Sequence, residues 1–160
     1  MTENKRDLEG LPVRPGGEGP LRFAEGCLYN YPKDLARLER LRSDLEKLSS
    51  RAVTNYEAEG RSAGGHSDPV LSCVQRREAL EGEIASLERR TGPVTRLMAD
   101  LEGPNVPELS PRSELARVAR LHYFGKRSKG QTADELNMSR SSFYRRRREL
   151  IDMAAYYLGF

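Results

Sequence analysis

The chain has 160 residues, room for one domain with an extension or for two small ones. It is 32% charged and 37% hydrophobic, with 7% aromatic residues and no Trp, and its net charge is +3. That balance is poor for one large core and ordinary for exposed helices and coiled coils. No apolar run reaches transmembrane length, and the opening MTENKRDLEG lacks an apolar signal segment, so a cytoplasmic protein with no membrane partner is expected.

Residues 1–27 carry LPVRPGGEGP and no sustained period, which predicts a flexible Gly/Pro-rich arm. Residues 28–102 predict a helical hairpin for dimerisation or partner contact. Its first helix, expected over about 32–58 with Pro32 in its first turn, bears Leu38, Leu41, Leu45 and Leu48 as a narrow seam between charges. EGRSAGGHS, residues 59–67, is a loop by composition. Ser67-Asp68-Pro69 starts a second helix. Its seam runs Val70, Cys73, Arg77, Leu80, Ile84, Leu87, Thr91, Val94, Met98 and Leu101. Gly92-Pro93 should kink it or break it into helices of about 69–91 and 93–102. A leucine seam needs a partner, so the two helices pair as an antiparallel hairpin or between subunits. Cys27 and Cys73 lie far apart, with no CxxC spacing, and read as two reduced thiols.

GPNVPELSP, residues 103–111, reads as a linker and domain boundary. Ser110 can cap the next helix with Pro111 at its first position. That helix carries Leu115, Val118 and Leu121 or His122 on one face, and Gly125 suits its C-cap. Ser128 with Gln131 makes a capping box, and Thr132 with Glu135 a competing one. In SKGQTADELNMSRSSFYRRRR, residues 128–148, Ala133 is the small residue where two crossed helices meet. Leu136, Met138 and Phe143 supply inward contacts, Asn137 tolerates a left-handed turn, and Ser139 caps a second helix from Arg140 to about Leu158. This is the spacing of a helix-turn-helix. The arginine run Arg145 to Arg148 alone would commonly be a solvated helix face. Small residue, turn, cap and basic helix in one register point together to double-stranded DNA.

Charge is distributed accordingly. Residues 112–160 hold eleven cations and five carboxylates, +6, which leaves −3 for the rest. With Phe143, Leu150, Ala154 and Tyr157 inward, the opposite face carries Arg140, Ser141, Tyr144, Arg145 and Arg148 as candidates for base edges. Lys126, Arg127, Lys129, Ser139, Ser142 and Arg147 are candidates for phosphates. The apolar end ELIDMAAYYLGF must pack on the first half, a second subunit or another protein. Walker loops, zinc spacings and His-Glu metal motifs are missing, and His66 and His122 read as structural or solvated. The chain is therefore read as a non-enzyme, with no catalytic residue, metal or cofactor expected.

Four landmarks stand in order: LYNYPKDLARLERLR, SDPVLSCVQRREAL, LHYFGKRS and ADELNMSRSSFYRRRREL. Over roughly residues 28–158 the chain resembles the phage-encoded late-gene transcriptional regulators of the RinA/ArpU type. The resemblance implies an all-α protein with an N-terminal helical hairpin or coiled coil and a C-terminal helix-turn-helix like region 4 of sigma factors. It implies a sequence-specific DNA-binding regulator of phage late genes in a bacterial cytoplasm. Host RNA polymerase is then a further expected partner, and a homodimer can form through the N-terminal helices or the C-terminal apolar tail. Arg146 stands where such second helices often carry an apolar residue, and it can snorkel from the core edge toward phosphate. The alternative is a DNA-packaging adaptor resembling a small terminase subunit, in which the DNA module would be expected at the N-terminus.

Overall fold

The computed structural model describes residues 18–58 and 69–160, and within them the side chains of 19–50 and 71–160. The fold is all-α, with no strand among the described residues. Helix α1 is Glu18–Ala58, α2 is Pro69–Leu101, α3 is Pro111–Val118, α4 is Lys129–Glu135 and α5 is Arg140–Tyr157. α3 passes directly into a wider π-helical turn, Ala119–Phe124, closed by the Gly125 amide donating to the Arg120 carbonyl at 2.7 Å. No helix of the described residues is long and apolar enough to cross a membrane.

Two expected helix limits are corrected by burial. α1 begins at Glu18, well before Pro32, so the predicted arm is helical from that point; its first 17 residues lie outside the described ones. Pro20 falls in the first turn, where amides have no intrahelical acceptor and proline is tolerated. Ala24, Cys27 and Leu28 then drive the helix by burying one face. Of the two outcomes expected at Gly92-Pro93, the break into separate helices does not occur: α2 continues through both residues. A proline inside a helix costs about 3 kcal/mol. Val94, Leu97, Met98 and Leu101 beyond it are all buried, at about 1.5–3 kcal/mol each, which outweighs that cost. The predicted loop 59–67, including His66, and the Ser67-Asp68 cap lie outside the described residues.

The chain forms two compact units, and the boundary between them is not the Pro-rich segment 103–111. One unit is Pro32–Thr91; the other joins the described residues up to Tyr31 with Gly92–Phe160. In the first, Leu38, Ile84 and Leu87 are buried, with Leu41 and Leu45 packed at their edge. The seams thus meet within one chain, as an antiparallel pair. Ion pairs join the two helices here: Arg37 with Glu83, Arg42 with Glu88 at 2.7 Å, and Arg90 with Asp34 at 3.8 Å. Arg77, expected on the seam, is exposed and bonds Glu81 one turn on.

The second unit holds the larger core: Ala24, Cys27 and Leu28 of α1, Val94, Leu97, Met98 and Leu101 of α2, and the buried faces of α3 to α5. The segment 103–111 is a set of short turns ending on the Ser110 cap, whose hydroxyl accepts the Ser113 amide at 3.2 Å. Arg120 bonds Glu102 across it. The apolar tail packs within this unit, where Met153, Tyr157, Leu158 and Phe160 border the core and the Phe160 ring meets Phe23 edge-on at 5.7 Å. Neither Cys27 nor Cys73 is in a disulfide among the described residues.

Candidate nucleic-acid interface

The turn between α4 and α5 follows from a few residues. Ser128 closes a capping box: its hydroxyl accepts the Gln131 amide at 3.2 Å, and Gln131 Oε1 accepts the Ser128 amide at 3.0 Å. The competing box does not form, because Thr132 lies buried inside α4 and donates its hydroxyl to the Ser128 carbonyl. Ala133 is 2% exposed, so a larger side chain would have no space there. Asn137 has φ 51, in the left-handed region that Asn tolerates, and the Met138 amide closes the turn on the Ala133 carbonyl at 2.9 Å. Ser139 then caps α5 by accepting the Ser142 amide at 3.1 Å.

The turn before α4 differs in one detail. Gly125 does not adopt the left-handed conformation; its φ is −81, and Lys126 takes that role at φ 56. Glycine is needed at 125 for closeness, since a Cβ there would meet the Leu121 carbonyl at 3.0 Å.

α5 has two faces. Phe143, Leu150, Ile151, Ala154 and Ala155 are buried, while Arg140, Ser141, Tyr144, Arg145 and Arg148 are exposed. All five base-edge candidates are therefore on the solvent side. Arg140, Arg145 and Arg148 form no ion pair with another described residue. The Tyr144 ring meets Phe143 edge-on at 5.7 Å, remains half exposed, and has the Lys129 ammonium 5.5 Å from its centre. On the same face Asp152 is held above the ordinary carboxylate range by partial burial, which Arg148 opposes and Glu149 adds to.

The phosphate candidates divide. Arg127 and Lys129 are exposed. Ser139, Ser141 and Ser142 engage one another, with hydroxyl separations of 3.0 and 2.9 Å from Ser139. Lys126 is exposed but turned onto α1: its ammonium donates to the Tyr29 carbonyl and lies 3.4 Å over the Tyr29 ring, and burial pushes its pKa down. Arg147 is turned onto α1. Its guanidinium bonds Glu25 of α1, its side chain is only 25% exposed, and its Nε is buried without a partner. The Tyr123 hydroxyl donates to the same Glu25 oxygen at 3.0 Å, and burial, reinforced by Glu25, pushes that phenol well above its ordinary range. Arg146 is also turned inward. It bonds Glu149 at 2.9 Å and Glu114 at 2.8 Å, and these bonds raise its pKa against burial. The four-arginine run is thus two structural and two exposed residues.

Glu25, Glu114 and Glu149 were not singled out by the sequence reading, although they select which arginines face solvent. Leu21, Ala24, Leu28 and Tyr31 recur at helical spacing through the predicted arm, and that period was the available signal for α1's early start. His122 Nδ1 lies 2.9 Å from the Arg127 carbonyl, and its ring meets Tyr123 and Phe143 edge-on. It is a packing residue between the two turns. No cluster of three or more His, Cys, Asp or Glu that could hold a metal occurs among the described residues. No family model matches the chain, and neither a curated protein nor a solved structure matches it.

Proposed function

We propose that this protein is a sequence-specific double-stranded DNA-binding transcriptional regulator, of the phage late-gene type it resembles, and that it reads the duplex with α5. One observation carries the reading. Arg140, Ser141, Tyr144, Arg145 and Arg148 share the exposed face of a capped helix whose other face is core. An α-helix fits the major groove, and arginine can bond guanine O6 and N7 through two donors at once. Arg127 and Lys129, before and at the start of α4, are exposed cations suited to phosphates. α4, the left-handed Asn137 and α5 supply the helix-turn-helix of this reading, with α4 crossing the backbone while α5 enters the groove.

Selection of bound sites from a random duplex pool tests it. A recovered motif is expected, and Arg145→Ala should reduce affinity for it. Failure of the full chain to bind any duplex at low salt would overturn the reading. Assembly into a ring of many subunits, by light scattering, would instead favour the packaging adaptor.

A further inference from the structure

Four consecutive arginines on one helix do not sort themselves into protein-facing and solvent-facing pairs; their partners sort them. Arg147 follows Arg140 by seven residues and Tyr144 by three, so it continues their stripe along α5. At Arg140 and Tyr144 the stripe is exposed; at Arg147 it is half-buried, and at Ile151 and Ala155 it is closed. What meets it at the transition is α1. Glu25 bonds the Arg147 guanidinium, and the same carboxylate oxygen accepts the hydroxyl of fully buried Tyr123 at 3.0 Å. Tyr123 lies in the π-helical turn, and its ring meets Tyr29 of α1 edge-on at 6.4 Å. Phe23 and Phe160 continue the α1 contact to the end of the chain. The first turns of α1 therefore touch both ends of the segment that carries the turn and the helix.

We propose that Glu25 is a positioning residue for duplex recognition: it withholds Arg147 from phosphate and fixes the rotation of α5, which makes the start of α1 part of the DNA-binding unit. This rests on the reading of α5 as the helix that enters DNA. A long cation left free on the Arg140 stripe would contact phosphates at many positions and add affinity without adding sequence information. Bound to Glu25, it instead becomes a strut between α1 and α5.

The test is binding of the full chain to its selected duplex and to a scrambled one, across salt concentrations. Glu25→Gln keeps the shape and removes the charge. It should lower the ratio of selected to scrambled affinity by about ten-fold. It should also steepen the dependence of log affinity on log salt by up to about 0.9, the equivalent of one added phosphate contact. Arg147→Gln in the unaltered background should leave that slope as it is, and adding it to Glu25→Gln should restore the original slope. Tyr123→Phe, which deletes only the hydroxyl that steadies Glu25, should move the ratio in the same direction by a smaller factor. It carries the test if Glu25→Gln does not fold. A purely structural Glu25 would shift thermal unfolding and leave slope and ratio alone. If Arg147→Gln by itself flattens the slope by about 0.9, Arg147 is on the DNA and Glu25 does not withhold it. If Glu25→Gln and Tyr123→Phe both leave ratio and slope unchanged while Arg145→Ala still weakens binding, the positioning role is overturned and α5 remains the DNA helix. If the unaltered chain binds no duplex, both fall together.

Discussion

The unit Pro32–Thr91 and the unit built around α5 are both helical, yet they are held differently. Among its described side chains the first buries Leu38, Ile84 and Leu87 as its apolar cluster, with ion pairs between exposed arginines and glutamates. The second buries a continuous cluster reaching from Ala24 to Ala155, and keeps its half-buried charges, Arg146 and Arg147, on carboxylates. Long helices do not make a large core; side chains with neighbours on every side do. The difference also separates two uses of arginine. In the hairpin, arginines decorate a seam. Around α5, some are pinned so that others face out in a fixed pattern.

The sharpest break in that contrast should come from Phe143, which is 1% exposed. Phe143→Ala is expected to cost about 3–5 kcal/mol in denaturant unfolding. A change below 1 kcal/mol, on the order of a surface substitution, would mean that the α5 core is no tighter than the hairpin seam. Leu87→Ala comes next. At 2% exposure it should cost about 2–4 kcal/mol, with Leu45→Ala well below it because Leu45 lies only at the cluster's edge. Equal losses from the two would show that Leu45 belongs to the buried cluster and not to its edge.

Arg140→Ala leaves folding alone and should remove about 1–3 kcal/mol from binding of the selected duplex, with much less effect on a scrambled one. A uniform loss on both would reassign Arg140 to phosphate. In the hairpin, a double-mutant cycle on Arg42 and Glu88 should give a coupling below about 1 kcal/mol, because both side chains are about half exposed. A larger value would remove the contrast between decorative and pinned arginines.

Asp152 gives the smallest effect. Its folded-state pKa is raised, chiefly by partial burial, so folding favours its protonated form. Its contribution to stability is therefore present below its unfolded pKa of about 3.9 and lost as pH rises through the folded value. At neutral pH the ionised carboxylate is a small cost. Asp152→Asn should raise the unfolding free energy slightly, by less than about 0.5 kcal/mol after allowance for solvent screening, and the gain should vanish in acid. A loss at pH 7 would mean that attraction to Arg148 outweighs burial.

Local chemistry was the legible part of this molecule. Ser110, Ser128 and Ser139 cap where the sequence placed caps, Asn137 turns left-handed, and Leu38, Ile84 and Leu87 pair as their spacing predicts. These features depend on residues within a few positions of one another or on a strong period. The exposed face of α5 followed for the same reason. What failed depended on distant partners. The continuation through Pro93 is set by four residues whose neighbours lie on other helices, and the early start of α1 by a core completed more than sixty residues later. Arg146 and Arg147 are indistinguishable from Arg145 and Arg148 by composition. Arg147 is set apart by Glu25, 122 positions away, and Arg146 by Glu114, 32 positions away, together with Glu149 one turn on.

The α5 unit is discontinuous along the chain, since its first part ends at Tyr31 and its second begins at Gly92. A growing polypeptide therefore synthesises Ala24, Cys27 and Leu28 long before the residues that cover them exist. Until α5 leaves the ribosome, the cluster around that apolar stripe is incomplete and is open to chaperones or to other nascent chains. Pairing of α1 with α2 can come earlier, and it shortens the effective loop between Leu28 and Val94 to a tethered search. Refolding of the intact chain should accordingly proceed hairpin first, with burial of Tyr123 last. A circular permutant opened between residues 59 and 67, which synthesises α3 to α5 before α1, would reverse that order while keeping the same final contacts.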